Sequence, residues 1–180
     1  MVSLIAKHAL SGQAPLALQD LHLQIEDLGP ITSIAPFNGQ ESALNAVLEA
    51  GHGLRFPVPN TSAQQAVAKL LWSGRGQAFL VGVAPDARLA AHAAVTDQSD
   101  GWVTLGLEGA RAEAVLARLV AVDLRLTACP VGASLRAQVQ HIPALIHRAA
   151  PQVFHIMVMR SFGHSAWHEV SEAMRGVAAR

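Results

Sequence analysis

The chain has 180 residues, with 13 basic and 13 acidic side chains and no formal net charge. That length can bury one core unaided, and the charge balance argues against a binder of nucleic acid or of anionic membranes. Charged residues make up only 14%, against a typical ~25%, which points to a surface partly covered by partner chains. The single cysteine, Cys129, excludes an internal disulfide and reads as a small buried hydrophobe. The start of the chain lacks a basic segment followed by a long apolar run, and the longest charge-free apolar stretch, residues 77–85, is too short to cross a bilayer. A cytoplasmic protein is expected.

Residues 1–19 show no periodicity and read as an N-terminal tail or arm, leaving 20–180 as a single domain. Leu21, Leu23 and Ile25 alternate with polar residues as in a half-buried strand, and Gly29-Pro30 separates them from a second strand at 31–37. Asn38-Gly39 leads into a helix over about 41–50, with Leu44, Val47 and Leu48 on its apolar side and Gly51 and Gly53 as stop signals. The apolar runs 66–72 and 77–83 flank Ser73-Gly74-Arg75-Gly76, a hairpin pattern. A short helical segment from Pro85-Asp86 towards Ala91 and a strand at 93–96 close the first half.

The second half opens on a strand at 102–107, rich in β formers, and a helix over 110–120 with Ala112, Val115, Leu116, Leu119 and Val120 inward. Strands at 135–142 and 153–159 follow, with 143–148 as a candidate extra strand. Ser161 is placed to cap the last helix, over about 163–176. The inner stripe of that helix is Ala166, Trp167, Val170, Ala173 and Met174, and its outer stripe His164, His168, Ser171 and Arg175. The halves, about 20–98 and 99–180, look alike. Asn38-Gly39 answers Glu108-Gly109, Leu54-Arg55 answers Leu124-Arg125, and Pro59 falls near the position of Pro130. The expected architecture is α+β, two similar βαββα halves packed into one body.

Chemistry is hard to place on these residues. His164 and His168 have the i, i+4 spacing of paired metal ligands, but Ser165 stands where a zincin carries its catalytic glutamate, so a solvated or partner-facing helix side is the better account. Ser161 lacks both flanking glycines of a nucleophile elbow. Gly74-Arg75-Gly76 lies within a hairpin and points no helix N-terminus at a phosphate. Asp97 and Asp100 fit polar turn chemistry. Arg136 and Arg160 each tie a charge to an apolar strand, where a cation needs a carboxylate from a neighbouring segment or chain, unless it sits at an exposed sheet edge. No catalytic, cofactor or metal residues are assigned to the chain.

Three segments carry a resemblance. The run from Ala94 to Gly109, through Asp97-Gln98-Ser99 and Trp102-Val103-Thr104, looks like a segment of the folate-binding domains of the glycine-cleavage T protein superfamily. Met159-Arg160-Ser161-Phe162 followed by Trp167, and Trp72-Ser73-Gly74 with Phe79-Leu80-Val81, resemble the ending and the central hairpin of sarcosine oxidase gamma subunits. Arg75-Gly76 stands where those subunits often have proline and an acid. The resemblance covers about residues 40–176 and marks Trp72, Arg136, Arg160, Ser161, Phe162 and Trp167 as candidate interface or motif residues. It implies a folate-binding-like fold and a structural, non-catalytic subunit of heterotetrameric sarcosine oxidase, which oxidatively demethylates sarcosine. Its partners would be the alpha, beta and delta subunits. FAD, FMN, NAD and tetrahydrofolate would be bound by those partners and none by this chain. A free-standing tetrahydrofolate-binding protein of one-carbon transfer is the alternative.

Overall fold

The computed structural model describes residues 5 and 7–180. Its elements are β1 (Leu16–Leu18), β2 (Leu21–Glu26), β3 (Ile31–Pro36), α1 (Glu41–His52), β4 (Ser62–Gln65), β5 (Ala68–Gly74), β6 (Gln77–Val81), β7 (Ala93–Asp97), β8 (Trp102–Glu108), α2 (Ala112–Leu116), β9 (Ser134–Val139), β10 (Ile142–Ala150), β11 (Val153–Met159) and α3 (Gly163–Ala178). Short 3-10 turns occupy Ala87–Ala91, Ser99–Gly101 and Arg160–Phe162. The strands form two antiparallel sheets, ordered β1-β2-β8-β11-β10-β9 and β4-β5-β6-β3-β7. No helix among the described residues is long and apolar enough to cross a membrane.

Strand alternation divides the core into three layers of side chains. Leu105, Leu107, Ala144, Ile146, Phe154 and Ile156 face α2 and α3, joined by Trp167, Val170 and Met174 from α3. Ile34, Leu70, Ala78 and Leu80 face α1 and the Ala87–Ala91 turn. Between the sheets, Leu71, Phe79 and Val81 of one meet Leu145 and Met157 of the other. The layers therefore run helix, sheet, sheet, helix.

The sheets meet edge to edge at a bridge between Thr61 and Ala133. Ser62 N donates to Gly132 O at 2.7 Å and Ser134 N to Asn60 O at 3.1 Å, so each edge ties itself to the loop before the other. Counted outward from this seam, the strand orders are β4-β5-β6-β3-β7 and β9-β10-β11-β8-β2. Individual rows can be followed across. One runs Ser62–Leu71–Phe79–Ser33–Thr96, and its counterpart Ser134–His147–His155–Gly106–Gln24. In each sheet the outermost strand of this series comes from the other side of the chain. β2 leads into β3 but pairs with β8, and β7 leads into β8 but pairs with β3.

Several expectations need correction. From Leu10 onward the presumed tail belongs to the body: Leu10 is fully buried and β1 pairs with β2. What precedes Lys7, apart from Ile5, lies outside the described residues. α1 is followed by β4, β5 and β6 rather than by two strands, because β4, a polar Ser-Ala-Gln-Gln segment without alternation, adds an edge strand; after α2 the candidate extra strand at 143–148 falls within β10. Residues 135–142 are not one strand. Gln140, at φ 55, turns the chain so that Ile142 begins β10. The 110–120 helix shrinks to α2, since Leu119 N bonds Leu116 O in a tighter turn and Leu119 O accepts from Gln140 N. Ser161 lies within a 3-10 turn, and no side chain caps α3. Ser171, assigned to the outer stripe, is buried and donates to Trp167 O at 2.7 Å. Cys129 is a buried free thiol, its pKa pushed up by burial.

Gly109 makes the turn from β8 to α2 with φ +137, and a β-carbon there would lie 2.1 Å from the backbone oxygen of Asp20. Gly109→Ala should cost about 2 kcal/mol or more, since a strained backbone and an immovable neighbour act together. Gly39 has φ +77 with nothing within 4 Å of a built β-carbon, so Gly39→Ala should cost about 1 kcal/mol. Denaturant melts of the two variants check the ranking; equal losses would contradict it.

Candidate functional site

A cleft of about 360 Å³ opens at one end of the inter-sheet layer, where the loop after β2 approaches the start of β8. Trp102 and Thr104 of β8, Glu26 at the end of β2, Asp27, Asp100 and Arg160 line it, with Lys7 and His8 at its rim. Its walls are set by turn chemistry. Asp27 Oδ1 accepts from Gly29 N at 2.9 Å, and Gly29 adopts φ 74. Asp97 Oδ1 accepts from Ser99 N at 2.9 Å and from Ser99 Oγ at 2.7 Å, and Ser99 Oγ accepts from Ile31 N at 3.1 Å. These hydrogen bonds, that from the Ser99 backbone first, lower the pKa of Asp97. His8 Nδ1 accepts from Leu10 N at 3.1 Å. Ser99 and His8 are thus bound into local turns. The hydroxyl–carboxylate contact beside the cleft, Ser99 with Asp97, belongs to that turn, and nowhere among the described residues do three or more His, Cys, Asp or Glu side chains gather as a metal site.

The tryptophan at the base of the cleft is held from two sides. Phe79 meets the Trp102 ring edge-on, with centroids 5.1 Å apart, and the Arg136 guanidinium lies 6.0 Å from its centroid. Arg160 donates to Lys7 O and lines both the cleft and a shallower depression beside Met159, Ser161 and His164. Arg136 and Arg160, both marked in the sequence, therefore converge on the surroundings of Trp102. Neither pairs with a carboxylate within the chain among the described residues; Arg136 is exposed on edge strand β9 and Arg160 half-buried. Ser161 and Phe162 are exposed next to Arg160. Trp167 belongs to the core under α3, and Trp72 lies at the seam, its carbonyl accepting from Ser134 Oγ at 2.9 Å. His164 and His168 are exposed.

Three charged or titratable side chains of the interior, Arg148, His147 and His155, have no role assigned from the sequence. Arg148 on β10 is 2% exposed. Its Nη1 donates to Leu124 O at 2.7 Å and Cys129 O at 2.9 Å, and its Nη2 to Pro151 O at 2.6 Å and Glu113 Oε2 at 3.2 Å, with the Phe154 ring 4.7 Å away. It pins the loop between α2 and β9 to the sheet. His147 and His155 are cross-strand partners with ring centroids 5.8 Å apart. His147 Nδ1 lies 3.0 Å from Ala133 O, while buried His155 Nδ1 has no partner among the described residues. Burial, reinforced by the nearby Lys69 ammonium, holds the pKa of each at about 4. The Val-Phe-His and Leu-Ile-His runs show both imidazoles among apolar residues, but only the register reveals that they are neighbours.

No protein-family profile matches the sequence, and no curated protein matches it. Among solved structures, a chain of the heterotetrameric sarcosine oxidase from Corynebacterium sp. U-96, in complex with pyrrole 2-carboxylate, superposes with a TM-score of 0.77 at 22% identity. The match covers 92% of this chain and 89% of that one. At that identity the likeness is one of fold: the chain is built like a chain of a heterotetrameric sarcosine oxidase.

Proposed function

We infer that the chain is a structural, non-catalytic subunit of a cytoplasmic sarcosine oxidase-type assembly, the counterpart of its gamma subunit. The observation that carries this reading is the reciprocal coverage, about nine-tenths of each chain. A match of that kind relates two whole chains of similar length rather than this chain and one domain of a large subunit. The low charge of the chain and exposed apolar side chains such as Val58, Val67, Val131 and Met159 support burial against other chains. In this reading the alpha, beta and delta subunits hold FAD, FMN, NAD and tetrahydrofolate, and this chain braces the assembly that oxidises sarcosine. The single body spanning 20–180 is a folate-binding-like domain of two related halves, a view supported by the matching rows of the two sheets.

Co-expression with the alpha, beta and delta subunits tests the reading. A stable four-subunit complex is expected, from which omission of this chain causes loss of assembly. A monodisperse isolated chain that associates with none of them would sink it. Binding of tetrahydrofolate by the isolated chain more tightly than about 100 μM, near −5.5 kcal/mol, would favour one-carbon transfer instead.

A further inference from the structure

The two sheets differ at their outer ends. In the six-stranded sheet, β2 is flanked by β1, with Leu16 opposite Leu23 and Leu18 opposite Leu21. The corresponding strand of the five-stranded sheet, β7, has no strand outside it among the described residues. Following the rows, Val95 pairs with Ile34 as Leu23 pairs with Leu107, so Val95 occupies the place of Leu23 and Ala93 that of Leu21. Leu23, shielded by Leu16, is fully buried, whereas Val95 is only half-buried at the rim of the layer facing α1.

The hydrogen-bond phase fixes which backbone groups are free. Phe37 N donates to His92 O at 2.9 Å and Gln98 N to Ile31 O at 2.8 Å, which makes these the hydrogen-bonded pairs framing β7. By alternation Ala94 and Thr96 bond to β3, and the N–H and C=O groups of Ala93, Val95 and Asp97 point away from it. The strand between them carries none of the usual blocks to pairing: there is no proline or lysine from Ala93 to Asp97, and the only charge is Asp97 at its end.

We propose that β7 receives an extended segment of a partner subunit as a sixth strand, with an apolar side chain beside Val95 where Leu16 lies beside Leu23. The chain itself supplies the template, since β1 does the same for the other sheet. This inference rests on the heteromeric reading above and adds the surface through which one partner would bind.

Amide hydrogen exchange on the co-expressed complex, compared with the isolated chain, tests it. The amides of Ala93, Val95 and Asp97 should exchange at least tenfold more slowly in the complex, while those of Ala94 and Thr96, already bonded to β3, change little. Val95→Pro removes an outward N–H and trims a half-buried side chain at the rim of the core, so the free variant should stay folded with a modestly lower melting temperature while its recovery in the complex falls at least tenfold. A complex in which the three outward amides are unprotected, or in which Val95→Pro assembles like the parent, overturns the proposal and leaves the subunit reading intact. Absence of any complex overturns both. Protection of the same amides in an isolated chain of dimeric mass overturns the choice of a foreign subunit, because a second copy would then be the occupant.

Discussion

Replacing Arg148 by methionine should destabilise the protein by about 3–5 kcal/mol, one of the largest losses expected of any single substitution in the chain. The guanidinium serves the carbonyls of Leu124, Cys129 and Pro151 and the Glu113 carboxylate from a position almost sealed from water. Methionine fills comparable volume but donates nothing, so those acceptors lose their partner in a place water reaches poorly. Arg148→Lys is the sharper comparison. It keeps the charge and surrenders the planar fork that reaches carbonyls on two sides, and most of the loss should remain. At about 2–4 °C per kcal/mol for a domain of this size, the Met variant should melt roughly 10 °C below the parent. The loop between α2 and β9 should be cut by proteases first. A Met variant within about 1 kcal/mol of the parent would mean that the arginine is ornamental to the loop.

Arg148 also marks where sequence reading stops. It stands in an apolar run beside His147, and Arg136 and Arg160 stand in comparable runs, so composition alone does not rank the three. Burial separates them: Arg148 lies in the interior, while Arg136 is exposed and Arg160 half-buried. β2 was legible through its alternation, and β6, β8 and β11 as short, largely apolar runs bounded by turn residues. β4 was not, because an edge strand of Ser, Ala and Gln owes its form to pairing with β5. The same limit applies to the cleft. Asp97, Asp100 and Arg160 could be noticed singly, yet only the meeting of the β2 loop, the β8 start and the turn after β11 places Asp100 and Arg160 around Trp102. Repeated Gly, Leu-Arg and Pro positions suggest two similar halves. The exchange of β2 and β7 between sheets could not be read in this way, since partners as distant in the chain as His22 and Glu108, or Pro36 and Ala93, leave no local signature.

The largest pH effect should come from His147 and His155. Each has a folded pKa of about 4, lowered from 6.5 first by burial. The folded protein therefore favours the neutral imidazole, and the unfolded chain binds protons at higher pH. The stability that neutrality contributes is fully present above pH 6.5 and is lost as pH falls from there towards 4, below which the slope from these groups vanishes. At 1.36 kcal/mol per pKa unit, the two histidines together should cost several kcal/mol across that window, with about 7 kcal/mol as the upper bound. The exposed carboxylates lie elsewhere on the scale. Hydrogen bonds from Arg88 and Arg125 hold Asp86 and Asp123 at about 2, so what they contribute is lost only at lower pH. Denaturant melts at pH 7.5, 6.0 and 4.5 should show the decline, and a parent equally stable at all three would contradict it. The opposite sheet offers the control. Leu71 and Phe79 occupy the places of His147 and His155 in the matching row. Installing that pair, as His147→Leu with His155→Phe, should flatten the profile between pH 6.5 and 4. It should leave the protein at least as stable at pH 7.5, because the buried Nδ1 of His155, which lacks a partner among the described residues, is removed along with its cost. If the profile stays steep in that double variant, the acid sensitivity belongs to other groups. If the profile flattens but the pH 7.5 stability collapses, the imidazoles have a packing role that their burial alone does not reveal.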